Sequence, residues 1–173
     1  MRISATIALL AIGGSVLVFG QSAGDTKLES QLRRLFPSAT SFSPKGGEPP
    51  HIRALVKDAS SGDERLIGLA FWTTELAPLE RGYDGPIKVL VGMDPKGLLT
   101  GVIVDAHREP YGYFSVDLPK FSGQFVGKNI RDRFRYGEDV DSISRATISV
   151  TSASRAVRNS ARRVARALLA PPD

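Results

Sequence analysis

The stretch that decides the fold runs from residue 88 to residue 105 and reads KVLVGMDPKGLLTGVIVD. Its two outer parts are rich in valine, leucine and isoleucine, and residues 94–97 between them are mostly polar. Proline fixes one turn dihedral and glycine permits a positive φ, so the DPKG segment predicts a tight turn. The outer parts, residues 88–93 and 98–105, therefore predict the two strands of an antiparallel hairpin.

A second pair of strands and a short helix are predicted before this hairpin. Residues 52–56 and 65–73 are mostly apolar, and the polar residues 58–64 between them predict a turn. Farther upstream, leucine recurs at helical spacing within residues 26–36, and Pro37 is expected to end that helix.

A long helix is predicted to close the chain over residues 150–169. Its apolar stripe, at i+3/i+4 spacing, consists of Val150, Ala153, Val157, Ala161, Val164 and Leu168. The opposite side carries Arg155, Arg158, Arg162 and Arg166. This basic face is either the solvated side of a packing helix or a surface that docks an anionic membrane or an acidic redox partner. Together, these elements predict an α+β fold in which helices pack on antiparallel sheet.

Residues 1–23 have the features of an export signal. Arg2 precedes an apolar run that extends from Ile3 to Phe19, and small residues follow this run. The run is also long enough that an uncleaved membrane anchor is the alternative. We therefore expect export to the periplasm or to the extracytoplasmic face of a membrane, with residues 24–173 as a single domain.

Composition excludes several classes of function. The sequence contains no cysteine, which excludes disulfides, thiolate-held iron–sulfur clusters and cysteine nucleophiles. His51 and His107 lie far apart without a ligand pattern around them, so we expect no metal site. Six arginines and one acid in residues 145–173 account for the whole net charge of +5. Since no nucleic-acid-binding motif accompanies this charge, we expect no nucleic-acid partner.

A polar stretch precedes the closing helix and reads DSISRATIS over residues 141–149. Asp141, Ser142 and Ser144 are residue types that favour turns and helix N-caps. Thr147 is therefore expected on or just inside the first helical turn, with its hydroxyl exposed beside unpaired backbone N–H groups. Such a position, at the positive end of the helix dipole, suits a phosphate group.

This nonapeptide resembles the flavinylation motif of the FMN-binding domain family, commonly Asp-x-x-Ser/Thr-Gly-Ala-Thr-x-Ser/Thr. Three further segments are similar to the family in order and spacing. They are a Gly-Tyr-x-Gly-Pro-Ile loop at residues 82–87, a His-x-Glu segment at residues 107–109, and a Phe-x-Gly-Lys link within residues 121–128. The family includes flavinylated subunits of the Rnf complex and of the sodium-translocating quinone reductase. It also includes the periplasmic domain of the regulator of nitrous oxide reductase, the branch that this chain resembles most, from about residue 35 to residue 169.

The resemblance implies an FMN joined covalently, through its phosphate, to the hydroxyl of Thr147 by a separate flavin transferase that uses FAD. The surrounding positions that match the motif are Asp141, Ser144, Ala146 and Ser149. By the same resemblance, Ser144 and Ser149 are expected to hydrogen-bond phosphate oxygens, and Asp141 to cap the helix or to guide magnesium during attachment. Arg145 stands where the common motif has glycine, and it either hinders the transferase or pairs with the phosphate.

The flavin ring is expected beside the two loops that flank the central hairpin. Candidate contacts there are Tyr83, Glu109 and Gly112, and Tyr111 and Tyr113 are further candidates for stacking on the ring. We predict no catalytic residue and no metal ligand in this site.

The resemblance implies an exported electron carrier in an extracytoplasmic or membrane-linked redox chain. Its expected partners are a flavin transferase and a redox partner protein or membrane complex. The sequence shows no nucleophile–base pair, metal cage or nicotinamide fingerprint, so a substrate-turnover enzyme is not expected. One alternative is a regulatory or binding module of the same fold that holds flavin loosely or not at all, which Arg145 favours. Another is a structural partner that docks through its arginine-rich helix.

Overall fold

The computed structural model describes residues 23–141 and 146–169. Five strands form one antiparallel sheet in which each strand pairs with the next along the chain. The strands are β1 (Ser41–Phe42), β2 (Ile52–Lys57), β3 (Glu64–Trp72), β4 (Lys88–Met93) and β5 (Leu99–Ala106). The helices are α1 (Ala23–Leu35), α2 (Thr73–Leu76), α3 (Pro119–Gly123) and α4 (Thr147–Leu168). The predicted α+β fold is therefore confirmed.

The hairpin of β4 and β5 forms as predicted. Asp94 fixes its turn, because one carboxylate oxygen accepts the backbone N–H groups of Lys96 (2.8 Å) and Leu98 (2.9 Å). Gly97 has a φ of 81°, a left-handed conformation that glycine adopts without strain. At the end opposite this turn, the first residue of β4 pairs with the last residue of β5. The loops that precede β4 and follow β5 therefore leave the sheet side by side.

Helices cover the sheet on both faces. Alternate strand residues point to opposite sides, so on β3 Phe71 joins the core beneath α4, whereas Trp72 joins the core beneath α1. The buried stripe that α4 contributes consists of Val150, Ala153, Val157, Ala161 and Val164, as predicted, and Leu168 is half-buried at its end. From the other face, α1 and the residue after it contribute Leu32, Leu35 and Phe36. The resulting order of layers is helix, sheet, helix.

A half-buried carboxylate ties α1 to the sheet. Asp105 on β5 accepts hydrogen bonds from Lys27 Nζ (2.7 Å) and Gln31 Nε2 (3.1 Å) of α1. It also pairs with Lys88 on β4 at 2.9 Å. Burial by itself raises the pKa of Asp105, but the bonds from the two lysines and the glutamine outweigh it and hold that pKa well below its ordinary value. The carboxylate is therefore ionised at neutral pH and keeps its partners there.

One short strand and two short helices were not predicted from the sequence. The two-residue strand β1 lies between the first predicted helix and the predicted strand at residues 52–56. The helix α2 begins at Thr73, which was expected in a strand, and α3 overlaps the expected link before the polar motif. The segment from α3 onward closes the core with three aromatic rings. Phe125 contacts Phe121 and Phe134, with ring centroids 5.1 Å and 6.1 Å away.

The predicted export signal or anchor, residues 1–23, lies outside the described residues except for Ala23, which begins α1. The single-domain boundary at residue 24 stays a prediction. Among the helices that the structure describes, none combines the length and the apolar content that a membrane crossing requires.

Candidate functional site

A cavity of about 350 Å³ opens at the N-terminus of α4. Three segments line it, namely the loop before β4, the loop after β5 and the first turn of α4. The lining residues are Tyr83, Glu109, Pro110, Tyr111, Ala146, Thr147, Ile148 and Ser149. The side-by-side exit of the two loops from the sheet explains why segments distant in sequence meet there. The volume lies within the range of about 300–1,000 Å³ that small-molecule sites occupy.

Thr147 lies at the first position of α4, as predicted, and it is exposed. Its hydroxyl donates a hydrogen bond to Tyr136 Oη at 3.2 Å. The N-cap residue is Ala146, which has no side-chain oxygen to accept the free N–H groups of the first turn. A helix of 22 residues thus presents backbone donors and the positive end of its dipole beside a threonine hydroxyl. This arrangement can hold a phosphate group.

Glu109 joins the three segments of the cavity wall. One of its carboxylate oxygens accepts the backbone N–H of Asp84 (3.0 Å), and the other accepts that of Tyr83 (3.1 Å). The Ser149 hydroxyl of α4 donates a third, short hydrogen bond to the same carboxylate. A Cβ atom on Gly82 would lie 2.4 Å from Glu109 Oε1, so glycine is required there for the carboxylate to reach its donors.

The ionised form of Glu109 is favoured, although the side chain is buried. Burial by itself raises the pKa of the carboxyl group, whereas the hydrogen bonds from Ser149, Asp84 and Tyr83 lower it, and the net result is a lowered pKa. Glu109 is therefore a fixed negative charge whose oxygens are already engaged. It fits the role of a loop anchor better than that of a proton donor.

His107 and Gly112 shape the loop that carries Glu109. The backbone N–H of Glu109 donates to His107 Nδ1 at 3.0 Å, so Nε2 carries the proton and donates to Asp117 Oδ1 at 2.9 Å. A Cβ atom on Gly112 would lie 2.0 Å from the His107 ring. The prediction that Gly112 contacts the cofactor is not supported by its position, because this residue does not line the cavity and instead packs against His107.

Exposed apolar side chains surround the mouth of the cavity. Tyr83 is 71% exposed, Tyr111 is 60% exposed and Ile148 is 57% exposed. Tyr113 does not line the cavity and instead contacts Phe114, at 3.9 Å between ring centroids. Large side chains rarely stay so exposed together unless they bind something. Tyr83 and Tyr111 are therefore placed to contact a flat aromatic ring.

The residues expected around the phosphate fall into three groups. Ala146 and Thr147 line the cavity, whereas Ser144 and Arg145 lie outside the described residues. Ser149 is buried and its hydroxyl donates to Glu109, and its predicted bond to a phosphate oxygen stays a prediction. Asp141 does not cap α4, since the cap is Ala146 and the Asp141 carboxylate lies 3.7 Å from Lys120 Nζ. Its alternative role, guiding magnesium during attachment, stays a prediction.

The arginine face of α4 is partly solvated and partly covered. Arg155 and Arg166 are exposed, whereas Arg162 is half-buried. Arg155 pairs with Glu80 at 3.1 Å, and Arg162 donates to the Ile130 carbonyl at 2.7 Å. Arg158 is half-buried and donates to the Arg133 carbonyl at 3.3 Å. Helical spacing places these arginines correctly on the outer side of α4, but it cannot show that other segments lie over them.

Three residues at the site were missed in the sequence. Pro110 and Ile148 line the cavity, and Tyr136 contacts the Thr147 hydroxyl. Pro110 and Ile148 directly follow Glu109 and Thr147, which the motifs did select. Their position next to these residues was the one sequence feature that could have indicated them. Tyr136 follows an arginine-rich segment, and nothing in the local sequence connects it with Thr147.

Residues 82–162 match the model of the FMN-binding domain family. These residues form an FMN-binding domain. The match begins at Gly82, beside the Glu109 carboxylate, and ends at Arg162 in α4, so it contains every segment of the cavity wall. It starts later than the resemblance seen in the sequence, which reached back to about residue 35. A search of curated proteins finds no significant match to the chain.

The cavity of the FMN-binding domain suits its cofactor. A flavin needs a phosphate anchor, a place for its ring and groups that tune its reduction potential. The start of α4 can anchor the phosphate, and the exposed rings of Tyr83 and Tyr111 can contact the flavin ring. When bound, FMN supplies redox chemistry that no side chain of this cavity provides, and the protein's own groups hold and orient it.

We expect Glu109→Gln to lower the free energy of unfolding at neutral pH by about 1–3 kcal/mol. The glutamine amide keeps one acceptor oxygen, but its nitrogen would face a donor, so at least one of the three donors loses its partner. Urea denaturation measures the change. The control is Glu29→Gln, because Glu29 is an exposed helix residue that pairs with Arg33, and we expect a change within about 0.5 kcal/mol there.

The effect of Glu109→Gln should shrink in acid. The folded-state pKa of Glu109 is lowered from its ordinary value near 4.5, so the carboxylate stabilises the fold above that pH. This stabilisation is lost as the pH falls through the folded-state pKa. The difference between wild type and variant should therefore narrow as the pH falls from neutral to about 3. If the difference in unfolding free energy stayed constant over this interval, the conclusion that the ionised Glu109 carboxylate stabilises the fold would be contradicted.

Proposed function

We propose that this protein is an exported flavoprotein that carries FMN covalently on Thr147 and transfers electrons between partner proteins. The observation that carries the proposal is the position of Thr147. Its hydroxyl is exposed at the N-terminus of α4, inside the cavity of an FMN-binding domain, with exposed aromatic rings across from it. A phosphoester at this place would be stabilised by the backbone donors of the first helical turn.

The attachment is a phosphoryl-type transfer from FAD, which the flavin transferase brings. A new bond forms between Thr147 Oγ1 and the phosphorus of the FMN half, and the bond to the AMP half breaks. AMP leaves with the electron pair of that bond, and the hydroxyl proton passes to solvent or to the leaving phosphate. Tyr136 would orient the hydroxyl, since its phenol oxygen lies within hydrogen-bond distance of Thr147 Oγ1, at 3.2 Å. No electrons are gained or lost in this step.

Electron transfer requires a donor and an acceptor outside this chain. The sequence contains no cysteine, so the chain offers no thiolates for an iron–sulfur relay. The exposed rings at the cavity mouth leave one edge of the site open to a redox partner protein or a membrane complex. Both partners, and the extracytoplasmic location, are part of the proposal.

A second candidate is a binding or regulatory module that holds flavin loosely or not at all. The observation that favours it is Arg145, which replaces the glycine of the common motif directly before Ala146 and Thr147. Mass analysis separates the two candidates, because only the first one gives a covalent adduct.

We expect wild-type protein, co-expressed with a flavin transferase in the exported compartment, to show the mass of one added FMN and fluorescence in a denaturing gel. Thr147→Val should abolish both signals, because the acceptor oxygen is lost while side-chain size is kept. Thr147→Ser should retain label. The matched control is Thr151→Val, one turn later on the same helix, which should label like wild type. An unlabelled wild type, or a labelled Thr147→Val variant, would refute the attachment.

The flavinylated protein should cycle between two redox states. Dithionite should bleach the visible flavin absorption, and a soluble quinone added afterwards should restore it in about one equivalent per flavin. Thr147→Val protein, purified identically, should show no such signal. Reduced flavin that the quinone fails to reoxidise would argue against a carrier in a quinone-linked chain.

Export is tested by a fusion at residue 22, directly before α1. A reporter enzyme that is active only outside the cytoplasm should be active when joined there, because the apolar run then directs translocation. Leu10→Arg, which places a charge inside that run, should remove the activity. An inactive wild-type fusion would overturn the localisation.

A further inference from the structure

A cavity of about 330 Å³ lies between α4 and the irregular segment that precedes Tyr136. Its lining consists of five arginines, namely Arg131, Arg133, Arg135, Arg158 and Arg162. This arginine pocket shares no residue with the lining of the flavin cavity. Neither the FMN-binding fold nor the proposed electron transfer requires it.

The pocket is held open by its own arginines. Arg162 donates from Nε to the Ile130 carbonyl (2.7 Å) and from Nη2 to the Asp132 carbonyl (2.8 Å). Arg158, one turn earlier on α4, donates to the Arg133 carbonyl at 3.3 Å. The segment is thereby fastened over α4, and the alternating positions 131, 133 and 135 of that segment supply the remaining guanidinium groups.

Positive charge in the arginine pocket exceeds the negative charge that faces it. Among the described residues, Glu138 supplies the carboxylate that pairs with its arginines, at 2.7 Å from Arg133 and 2.8 Å from Arg135. The nearby Asp139 carboxylate is engaged by two backbone N–H groups and by Lys128. The Arg131 guanidinium makes no hydrogen bond to residues 23–141 or 146–169.

The arginines of the pocket lie close enough to repel one another. Burial, and then repulsion from Arg158 and Arg166, lowers the pKa of Arg162 from its ordinary value. An anion of several charges would relieve this repulsion. Guanidinium groups suit phosphate oxygens in particular, because their planar forks donate two parallel hydrogen bonds.

We propose that the arginine pocket binds a diphosphate or other closely spaced pair of phosphate groups. The charge balance favours two phosphates over one, since five guanidinium groups line the pocket and one carboxylate, that of Glu138, pairs with them among the described residues. The two phosphates belong either to a soluble molecule or to the headgroup of a lipid with two phosphate groups, such as cardiolipin.

The test is calorimetric titration of the full chain with inorganic pyrophosphate and, separately, with inorganic phosphate. We expect pyrophosphate to bind and phosphate to bind at least about tenfold more weakly. The double variant Arg131→Gln/Arg133→Gln should weaken pyrophosphate binding by about tenfold or more, and Arg158 and Arg162 still fasten the segment in it. The matched control is Arg53→Gln/Arg65→Gln, which removes two exposed charges from β2 and β3 and should bind like wild type.

A second arm distinguishes the source of the phosphates. Wild type, the pocket variant and the control variant are each sedimented with vesicles of phosphatidylcholine, with and without cardiolipin. The difference between the two vesicle types measures binding to cardiolipin. Binding to cardiolipin vesicles that the pocket variant loses and the control keeps assigns the pocket to the lipid. Pyrophosphate binding without vesicle binding assigns it to a soluble anion. Binding to neither, or equal losses in the pocket and control variants, would overturn the proposal.

Discussion

Glu109 places a negative charge inside the protein, where a carboxylate without partners would be strongly destabilising. Its oxygens accept donors from the loop before β4 and from the first turn of α4, which are separated from it by 26 and 40 residues. The burial of this charge is tolerated because all three donors converge on it. Conversely, those donors have no other described acceptor, so the loop, the helix start and the carboxylate depend on one another. The walls of the flavin cavity follow from this one set of bonds.

The sheet determines where the hydrogen bonds to Glu109 can form. In an antiparallel hairpin the chain enters and leaves at the same end, so the segments around Tyr83 and Glu109 are neighbours whatever their sequences. The long helix α4 then lies across one face with its N-terminus at this end. On the opposite face, α1 is fixed by Asp105 and by its own apolar side chains. The site is thus built where the rigid elements end and the loops begin.

Much of the framework follows from local sequence. The turn at Asp94, the apolar stripe of α4 and the position of Thr147 in its first turn were predicted from residue type and periodicity, and the structure agrees. The cap of α4 was not, because the expectation assigned it to polar residues at positions 141–144, whereas the helix begins later, after Ala146. Local preference shows that a helix is near but does not fix its first residue.

The contacts that define the site could not be predicted in the same way. The bond from Ser149 to Glu109 and the bond from Thr147 to Tyr136 join residues that meet only through the tertiary fold. Helical spacing placed the arginines of α4 on the correct side. Their carbonyl partners belong to an irregular segment, whose position a helical or strand periodicity could not predict. Motif resemblance selected Thr147, and the packing of distant segments determines what surrounds it.

The contact between Thr147 and Tyr136 joins two hydroxyl groups, and either of them can donate the proton to the other. If Thr147 became a phosphoester, as proposed, it would have no proton left to donate, whereas tyrosine could still supply its own. The contact would therefore survive the attachment, and the start of α4 would not have to be rebuilt for it.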